Sequence, residues 1–563
     1  MDPVIVVGAG PVGLALALSL AAQHVPSVVL DEGDGTVEPR TARTVVLRPD
    51  TAALVERLGC VDARDEGAHW SGWRSMRRKQ IVTELTLGDD VEFPGDGFPD
   101  SGYLSPLHVP QHTLTRGLYD AATAHPLVEL VTKARVDTIE QDGKGVTVHT
   151  RGPGYLYWRG SYLVGCDGAR STIRKLCGIR FAGRTAVERH AVAALRTELP
   201  WPETAVMHRQ LPWRGGGPEV TARPLPGGVW RLDWLLPPRG DLVTPDALIT
   251  RIRDTLAGWC GETPPYELID TGVYTLHHRL AQRWREGRSF LAGDAAHLLG
   301  ALGTQGVDEG LRDVENLAWK LAHALHHDAS DILLDSYEQE RRTAVAARLR
   351  AADQALPILR GGGGLRAVLP GAARSHDGML ADGHLGGGAL GALPVYRHSP
   401  LAAPPRGDAD ASVATEPGAP VEDVRVTAPD GTAVQLRDRL GQAHLLVVLV
   451  APGTGVWDRR HWMTAGVMPR LATAVTALPV PAELLVAEGY PGATAHTVLL
   501  VRPDGHLVAA FDGVRPAELY AAADAARGGA PEDPEAPEAQ EAQASQEDVS
   551  VVTVPTDRTA DIN

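Results

Sequence analysis

Two hydrophobic rhythms alternate along this chain, and the places where one gives way to the other mark its elements. Val4-Ile5-Val6-Val7 is a short β-branched run that stops at Gly8-Ala9-Gly10-Pro11-Val12-Gly13. The mostly apolar stretch from Leu14 to Ala22 predicts a buried helix, and Ser27 to Leu30 predicts a second strand. An apolar run followed by a turn and a helix start returns twice. Tyr162 to Gly165 leads into Cys166-Asp167-Gly168-Ala169-Arg170-Ser171, and Phe290-Leu291-Ala292 leads into Gly293-Asp294. Beyond the last of these, Leu311, Val314, Leu317, Ala318, Leu321 and Ala322 recur at helical spacing, and the pattern continues towards Arg350. Residues 187–275 read instead as strands with polar turns. There Val229–Leu236 alternates, with Trp230, Leu232, Trp234 and Leu236 on one face and Arg231 and Asp233 on the other. The glycine runs 361–364 and 386–388 and the Pro/Ala/Asp-rich stretch 400–420 break both rhythms and predict linker or loop. Strands resume at Leu445–Val450, Glu483–Ala487, Thr497–Val501 and Leu507–Phe511.

This order of elements places candidate chemistry. In the first turn Gly8, Gly10 and Gly13 suit a tight bend, close backbone approach to a pyrophosphate, and close packing of helix on strand. Asp31 follows Gly13 by 18 residues, near the spacing of an acid that binds ribose hydroxyls. Asp167 and Asp294 each stand between a strand end and a helix start, where a carboxylate binds hydroxyls and free N–H groups attract negative charge. Singly, each has an ordinary reading as a crossover or an Asp-Gly turn. In one chain with the glycine fingerprint, they predict a dinucleotide site.

Composition narrows the classes. At 563 residues the chain has room for several domains, and a hydrophobic content of 44% is that of a globular protein. Of the net charge of −16, half comes from Gly528–Asn563, whose nine acidic residues and one Arg give −8. That tail predicts disorder, and the mildly acidic remainder argues against a nucleic-acid surface. The four cysteines form no CxxC pair, and no metal site is expected. With the first strand at Val4 and no apolar run of membrane-spanning length, a cytoplasmic protein without a signal peptide is expected.

The stretch GDAAHLLGALGTQGVDEGLRDVENLAWKLA, residues 293–322, resembles the flavin-ribitol motif of the class A, single-component FAD-dependent aromatic hydroxylases. It departs from that motif at Gly300-Ala301, where two prolines are usual, at Thr304 for a glycine, and at Asp308 for an asparagine. The resemblance implies an α/β fold: a Rossmann-like FAD-binding domain (1–68, 104–186, 276–356) with an inserted β-rich substrate domain (69–103, 187–275). A linker (357–394), a thioredoxin-like domain (395–526) and the disordered tail (527–563) complete the expected organisation. Without a cysteine, the thioredoxin-like domain can carry no thiol redox chemistry.

By the same resemblance, the cofactor-binding residues include Gly8, Gly10, Gly13, Asp31, Asp167, Arg170 and Asp294, together with Gly306, Val307 and Asp308 at the helix start. Arg43 is implied near the flavin and pyrophosphate. Gln111 follows from His108-Val109-Pro110-Gln111, although Thr115 stands where a glutamate is usual, and Val136 matches a position near the adenine. Asp308 has two readings: a carboxylate facing the flavin, or a helix N-cap turned away. Trp230, Trp234, His208 and Arg223 are substrate-side candidates, against a plain-core reading for the tryptophans. His190 is a further candidate by position, and no catalytic acid or base is assigned. Trp70–Gln80 is basic and aromatic, either a solvated strand or a guide for an anionic nicotinamide.

The reaction implied is monooxygenation with NADPH or NADH and O2, in which reduced FAD carries oxygen as a C4a-hydroperoxide. The substrate class implied is phenolic or polycyclic aromatic, of polyketide type, and a homodimer is compatible with the family. The alternatives are a Baeyer–Villiger or epoxidising monooxygenase, an FAD oxidase or dehydrogenase, and a flavoprotein scaffold that binds a partner enzyme.

Overall fold

In the computed structural model the opening β-branched run lies at the heart of a parallel sheet. The structure describes all residues except 61, 89–103, 153–154, 214–218, 237–242, 300–304, 328, 360–371, 405–409, 454–465, 530–549 and 554–563. Val4–Val7 pairs in parallel with Ser27–Leu30 on one side and Tyr162–Gly165 on the other. Val128–Val131 and Ser289–Leu291 extend the parallel sheet at the two flanks, and Arg285–Glu286 adds an antiparallel edge. Strands covered on both faces need continuous apolar runs rather than alternation, which is why these short segments read as they do. The helix Pro11–Ala22 is apolar all round because it is buried all round, packed beside the long helix Gln305–His326 and the helix Gln111–Ala124.

A second, eight-stranded sheet is built mainly from residues 181–281, closed at one edge by Gly72–Arg77 and Gln80–Thr86 and at the other by His297–Leu298. The helix Pro245–Cys260 covers one of its faces through Leu248, Ile252 and Leu256. Because His297–Leu298 follows directly on Gly293-Asp294, this sheet is joined to the parallel sheet at the candidate cradle. Towards the C-terminus Leu445–Val450 is central in a six-stranded mixed sheet. Leu445, Val447 and Leu449 face one apolar cluster and Leu446, Val448 and Val450 another, which again explains an unbroken apolar run.

Two expectations fail here. The glycine-rich linker expected over 357–394 contains a helix, Ala372–Leu385, which buries Leu380, Ala381 and Leu385 against Trp70 and Trp73. Tertiary burial overrides the poor helix propensity of its surroundings. In the tail, Ser550–Thr553 is a strand antiparallel to Thr138–Gln141, and its β-branched Val551 and Val552 make that pairing intelligible. The rest of the tail beyond Gly529 lies outside the described residues. Among the described residues no helix is long and apolar enough to cross a membrane.

Buried charge ties these sheets together. Arg502 of the C-terminal sheet region donates to Glu340 from Nη1 at 2.6 Å and from Nη2 at 2.9 Å. Glu340 also receives Lys320 Nζ at 2.7 Å, and Asn316 Nδ2 donates to Asp504 at 3.2 Å. Burial alone would raise the carboxyls of Glu340 and Asp504. Arg502 with Lys320, and Arg502 with His506, outweigh it and hold both well below the usual range. Such groups bind fewer protons folded than unfolded. Their stabilisation is therefore complete above the unfolded carboxyl values near 4 and is lost as pH falls towards the lower folded values. Thermal denaturation should show Tm dropping steeply below about pH 4, and Glu340→Gln should reduce that pH dependence. An identical acid slope in the variant would show that Glu340 does not carry it.

Candidate active site

A cavity of about 630 Å³ opens between the carboxyl ends of the parallel strands and the inner face of the eight-stranded sheet. Gly10, Arg43, Gln111, Asp294, Gly306 and Val307 line it from the first side, and Arg231 and Tyr274 from the second.

The glycine turn is shaped by close contact. A Cβ on Gly13 would stand 2.0 Å from the Gly8 carbonyl oxygen, and one on Gly8, at φ +108°, would stand 2.5 Å from the Cys166 carbonyl. Gly10 has nothing within 4 Å on that side, so its bare backbone is open to a ligand. Asp31 locks this turn: its carboxylate accepts the Ala9 N–H at 2.7 Å and the Gly33 N–H at 2.7 Å. Arg43 and Gln111 sit side by side, with Arg43 Nε donating to Gln111 Oε1 at 2.8 Å.

Asp167 closes the second turn. One oxygen accepts the Thr172 and Ile173 N–H groups at 2.6 and 3.0 Å, while Oδ1 is buried without a partner. Burial pushes its carboxyl up. Asp294 is enclosed by protein yet open to the cavity, and burial raises its carboxyl against the opposing pull of His297 and Arg43. The start of the long helix abuts it: a Cβ on Gly306 would lie 3.3 Å from Asp294 Oδ1. The bare backbone of Gly10, the open carboxylate of Asp294 and the helix N-terminus at Gly306 on one cavity are a donor and acceptor set that suits a flavin dinucleotide. The residues fit FAD.

Other sequence candidates land elsewhere. Arg170 is exposed beyond Gly168 and Ala169, which line the cavity. Val136 is buried in the strand Arg135–Asp142, opposite Thr150 and away from the cavity wall. Asp308 fits neither of its two readings. It lies within the first turn of the helix, fully buried, and its carboxylate takes the Arg48 backbone N–H at 3.0 Å, the Thr51 hydroxyl at 2.5 Å and the Arg48 guanidinium. Burial would raise this carboxyl, but Arg48 and Arg312 hold it well below its ordinary range. The departures at Gly300-Ala301 and Thr304 lie outside the described residues.

The substrate-side candidates are corrected as well. Trp230 and Trp234 pack under the helix Pro245–Cys260, and Trp234 Nε1 donates to Thr255 at 3.0 Å, so they are core on the face away from the cavity. His208 accepts from Trp259 Nε1 at 2.9 Å and pairs with the Arg78 carbonyl, far along the sheet. Arg223 is buried and reaches His384 Nδ1 at 3.1 Å without lining the cavity. The cavity instead meets the opposite face of the same strands. There Arg231 and Asp233 join His190 and Tyr274, and the two last were missed or left unassigned in sequence. Arg231 and Asp233 did carry a signal, a charged pair on the alternate positions of an otherwise apolar strand, whereas Tyr274 lies in a different strand. Among the described residues no group of His, Cys, Asp and Glu could hold a metal ion.

The arrangement is that of a flavoprotein, and residues 1–352 match the FAD binding domain family model. The chain belongs to that family. It is 31% identical over 356 residues to a 3-(3-hydroxy-phenyl)propionate/3-hydroxycinnamic acid hydroxylase of Mycolicibacterium smegmatis, covering 62% of this chain and 59% of that protein. The match thus spans about three fifths of the relative's length. A protein of the same name from Escherichia coli is 29% identical over 349 residues, covering 62% of this chain and 60% of the relative.

Solved structures match over more of the chain. The flavin-dependent monooxygenase PieE, in complex with FAD and substrate, superposes with a TM-score of 0.72 at 21% identity, covering 93% of this chain and 98% of its own. K252c-soaked RebC gives a TM-score of 0.69 at 26% identity, covering 94% and 99%. The anhydrotetracycline hydroxylase OxyS from Streptomyces rimosus gives 0.61 at 26% identity, covering 91% and 95%.

Two outcomes test this geometry. Asp294→Ala should weaken FAD binding by about 1.5–3 kcal/mol, the worth of a charge-assisted hydrogen bond, read as the Kd of FAD for apoprotein. Unchanged affinity would remove Asp294 from the site. Asp308→Asn should lower unfolding free energy by about 3–5 kcal/mol, because it leaves buried Arg48 and Arg312 undercompensated. A silent change in chemical denaturation would contradict the buried pair.

Proposed function

We propose that this protein is an FAD-dependent monooxygenase that uses NADPH or NADH and O2 to hydroxylate a phenolic or polycyclic aromatic substrate of polyketide type. The observation that carries this reading is the single cavity shared by the dinucleotide cradle and the inner face of the eight-stranded sheet. Gly10 with Arg43 would hold the pyrophosphate in the turn that Gly8 and Gly13 shape, Asp31 would hold the adenosine ribose, and Asp294 the ribitol hydroxyls. The N–H groups at Gly306 and Val307 would steady negative charge on the flavin. Bound FAD supplies the redox chemistry and the activation of oxygen. What the chain itself does is orient the aromatic ring, exclude water from the shared cavity, and fix the hydrogen bonds at its wall.

The division into an FAD domain, an inserted substrate domain and a thioredoxin-like domain belongs to the same proposal. The last is supported by the parallel pairing of Leu445–Val450 with Ala482–Ala487 beside the antiparallel pair Thr497–Val501 and Leu507–Asp512. A cytoplasmic location accords with this chemistry, because nicotinamide cofactors are the reductant.

The test is turnover of the purified, FAD-loaded protein with a panel of polycyclic phenols. The expected result is aromatic-dependent oxidation of NADPH or NADH and incorporation of one atom from labelled O2 into the product, seen by mass spectrometry. Oxidation that yields only hydrogen peroxide with every aromatic tested would favour an oxidase or a scaffold.

A further inference from the structure

The strand Glu267–Ala281 leaves one edge of its backbone open to the cavity. It pairs along its length with Phe181–Arg196, whereas on its other side His297–Leu298 pairs only with Leu280 and Arg279. Asp270 to His277 all line the cavity. The direction of each backbone group follows from the next ladder in the sheet. The Leu236 N–H donates to the Arg189 carbonyl at 2.8 Å, and the Thr197 N–H to the Gly228 carbonyl at 3.1 Å. Odd-numbered residues of Phe181–Arg196 therefore turn their backbone towards Val229–Leu235. His190 and Val192 turn the other way and exchange hydrogen bonds with Tyr274 and Gly272. The backbone groups of Thr271, Val273 and Thr275 then point out along the free edge. The Thr271 N–H is taken by Asp270 Oδ1 at 2.8 Å, and Asp270 Oδ2 accepts the Ala42 N–H at 2.9 Å. Val273 and Thr275 keep both N–H and C=O without a partner among the described residues, and Val273 is the exposed residue of Asp270–His277.

Side chains on this wall have few polar groups to spare. The Tyr274 hydroxyl and the Arg231 guanidinium are bound to Asp233 and to each other. Gly272, on the same face as Tyr274, has no side chain, so the wall is flat between Val192 and the edge. In an extended residue the N–H and the C=O stand side by side and point the same way, one donor beside one acceptor. We propose that this edge, at Val273, is a binding site for a primary carboxamide carried by the aromatic substrate. The ring lies on Val192 and Gly272, the Val273 N–H donates to the amide oxygen, and the amide N–H beside that oxygen donates to the Val273 carbonyl. A methyl ketone of the same size accepts but cannot donate, and it leaves the Val273 carbonyl unpaired. A carboxylate would face that carbonyl and Asp270 with like charge. The inference rests on the aromatic-substrate reading above and adds the polar group by which the ring is held.

The experiment is isothermal titration calorimetry of the purified, FAD-loaded, full-length protein without NADPH or NADH. The ligands are 6-hydroxy-2-naphthamide, the methyl ketone of the same skeleton, and 2-naphthol, which has no acyl group. The wild type should bind the amide about tenfold more tightly than the ketone, the worth of one hydrogen bond and of the carbonyl left unpaired without it. Val273→Pro deletes the N–H at an edge position that tolerates proline. It should weaken the amide about tenfold and leave 2-naphthol as before. Val273→Ala keeps the backbone and should keep all three affinities. Hydrogen–deuterium exchange locates the contact in the wild type: the peptide containing Val273 should exchange more slowly with the amide bound. The proposal is overturned if the amide binds no more tightly than the ketone, or if that peptide is not protected. It is equally overturned if Val273→Pro, folded by FAD content and thermal denaturation, binds the amide as the wild type does. Should Val273→Pro not fold, the ketone comparison and the exchange measurement decide alone. Failure of the monooxygenase reading shows separately, as turnover without labelled oxygen in the product, whatever the affinities.

Discussion

The geometry of the cradle depends on one carboxylate. Asp313, fully buried in the long helix, accepts the Gly293 N–H at 3.0 Å, meets His297 Nε2 at 2.8 Å and takes Arg341 Nε at 2.9 Å. Through it the helix that begins at the cavity and the loop that carries Asp294 become one rigid piece. Burial would push this carboxyl up, but His297 and Arg341 outweigh it and keep the charge that makes all three bonds strong. Arg341 comes from a π-helical turn, Glu338–Arg342, which sets Glu340 and Arg341 in adjacent buried positions. One reaches the C-terminal sheet region through Arg502, and the other reaches the cradle through Asp313 and Glu309.

From that fixed piece the division of labour between the two sheets follows. The parallel sheet presents backbone at its carboxyl ends, where glycine turns and helix starts leave N–H groups free, and this suits anionic and hydroxyl-rich ligands. The eight-stranded sheet presents a side-chain face. One side is sealed by tryptophans under a helix, and the other holds a small ionic cluster among Val192, Ala194 and Val229. Within that cluster the buried Asp233 carboxylate takes directed hydrogen bonds from the Tyr274 hydroxyl and the Arg231 guanidinium. The cavity between the sheets therefore has a backbone side and a side-chain side with different tasks.

Much of the parallel-sheet half was legible in the sequence, since its signals are local. A β-branched run, a glycine turn with Asp31 at the right spacing, and Asp-Gly at a second strand end each bring their own geometry. The side-chain half was less legible for a physical reason. Alternation in Val229–Leu236 told which residues share a face, but not which face a helix would cover, so the tryptophans were set beside the substrate and Arg231 and Asp233 were passed over. Tyr274 lies in a strand paired with the one carrying His190, and no local pattern announces that pairing. Asp308 was misplaced because its partners, Arg48 and Thr51, stand more than 250 residues upstream, with Thr51 separated from it by 257 positions. The helix Ala372–Leu385 was hidden by the glycines around it.

The dependence of Glu340 on Arg502 has a consequence for how the chain is made. These residues are 162 positions apart (502 − 340), so at roughly 5–20 residues per second the ribosome completes the pair about 8–32 s after Glu340 is synthesised. Every segment of the proposed FAD cradle has by then been translated. During that interval Glu340 has Lys320 as a counter-ion, while the surface meant for the C-terminal sheet stands open to water and to other nascent chains. The cradle segments are thus all synthesised before the Glu340–Arg502 pair can form. Joining the C-terminal sheet region to the rest through a buried charge is therefore a late event in the making of the chain.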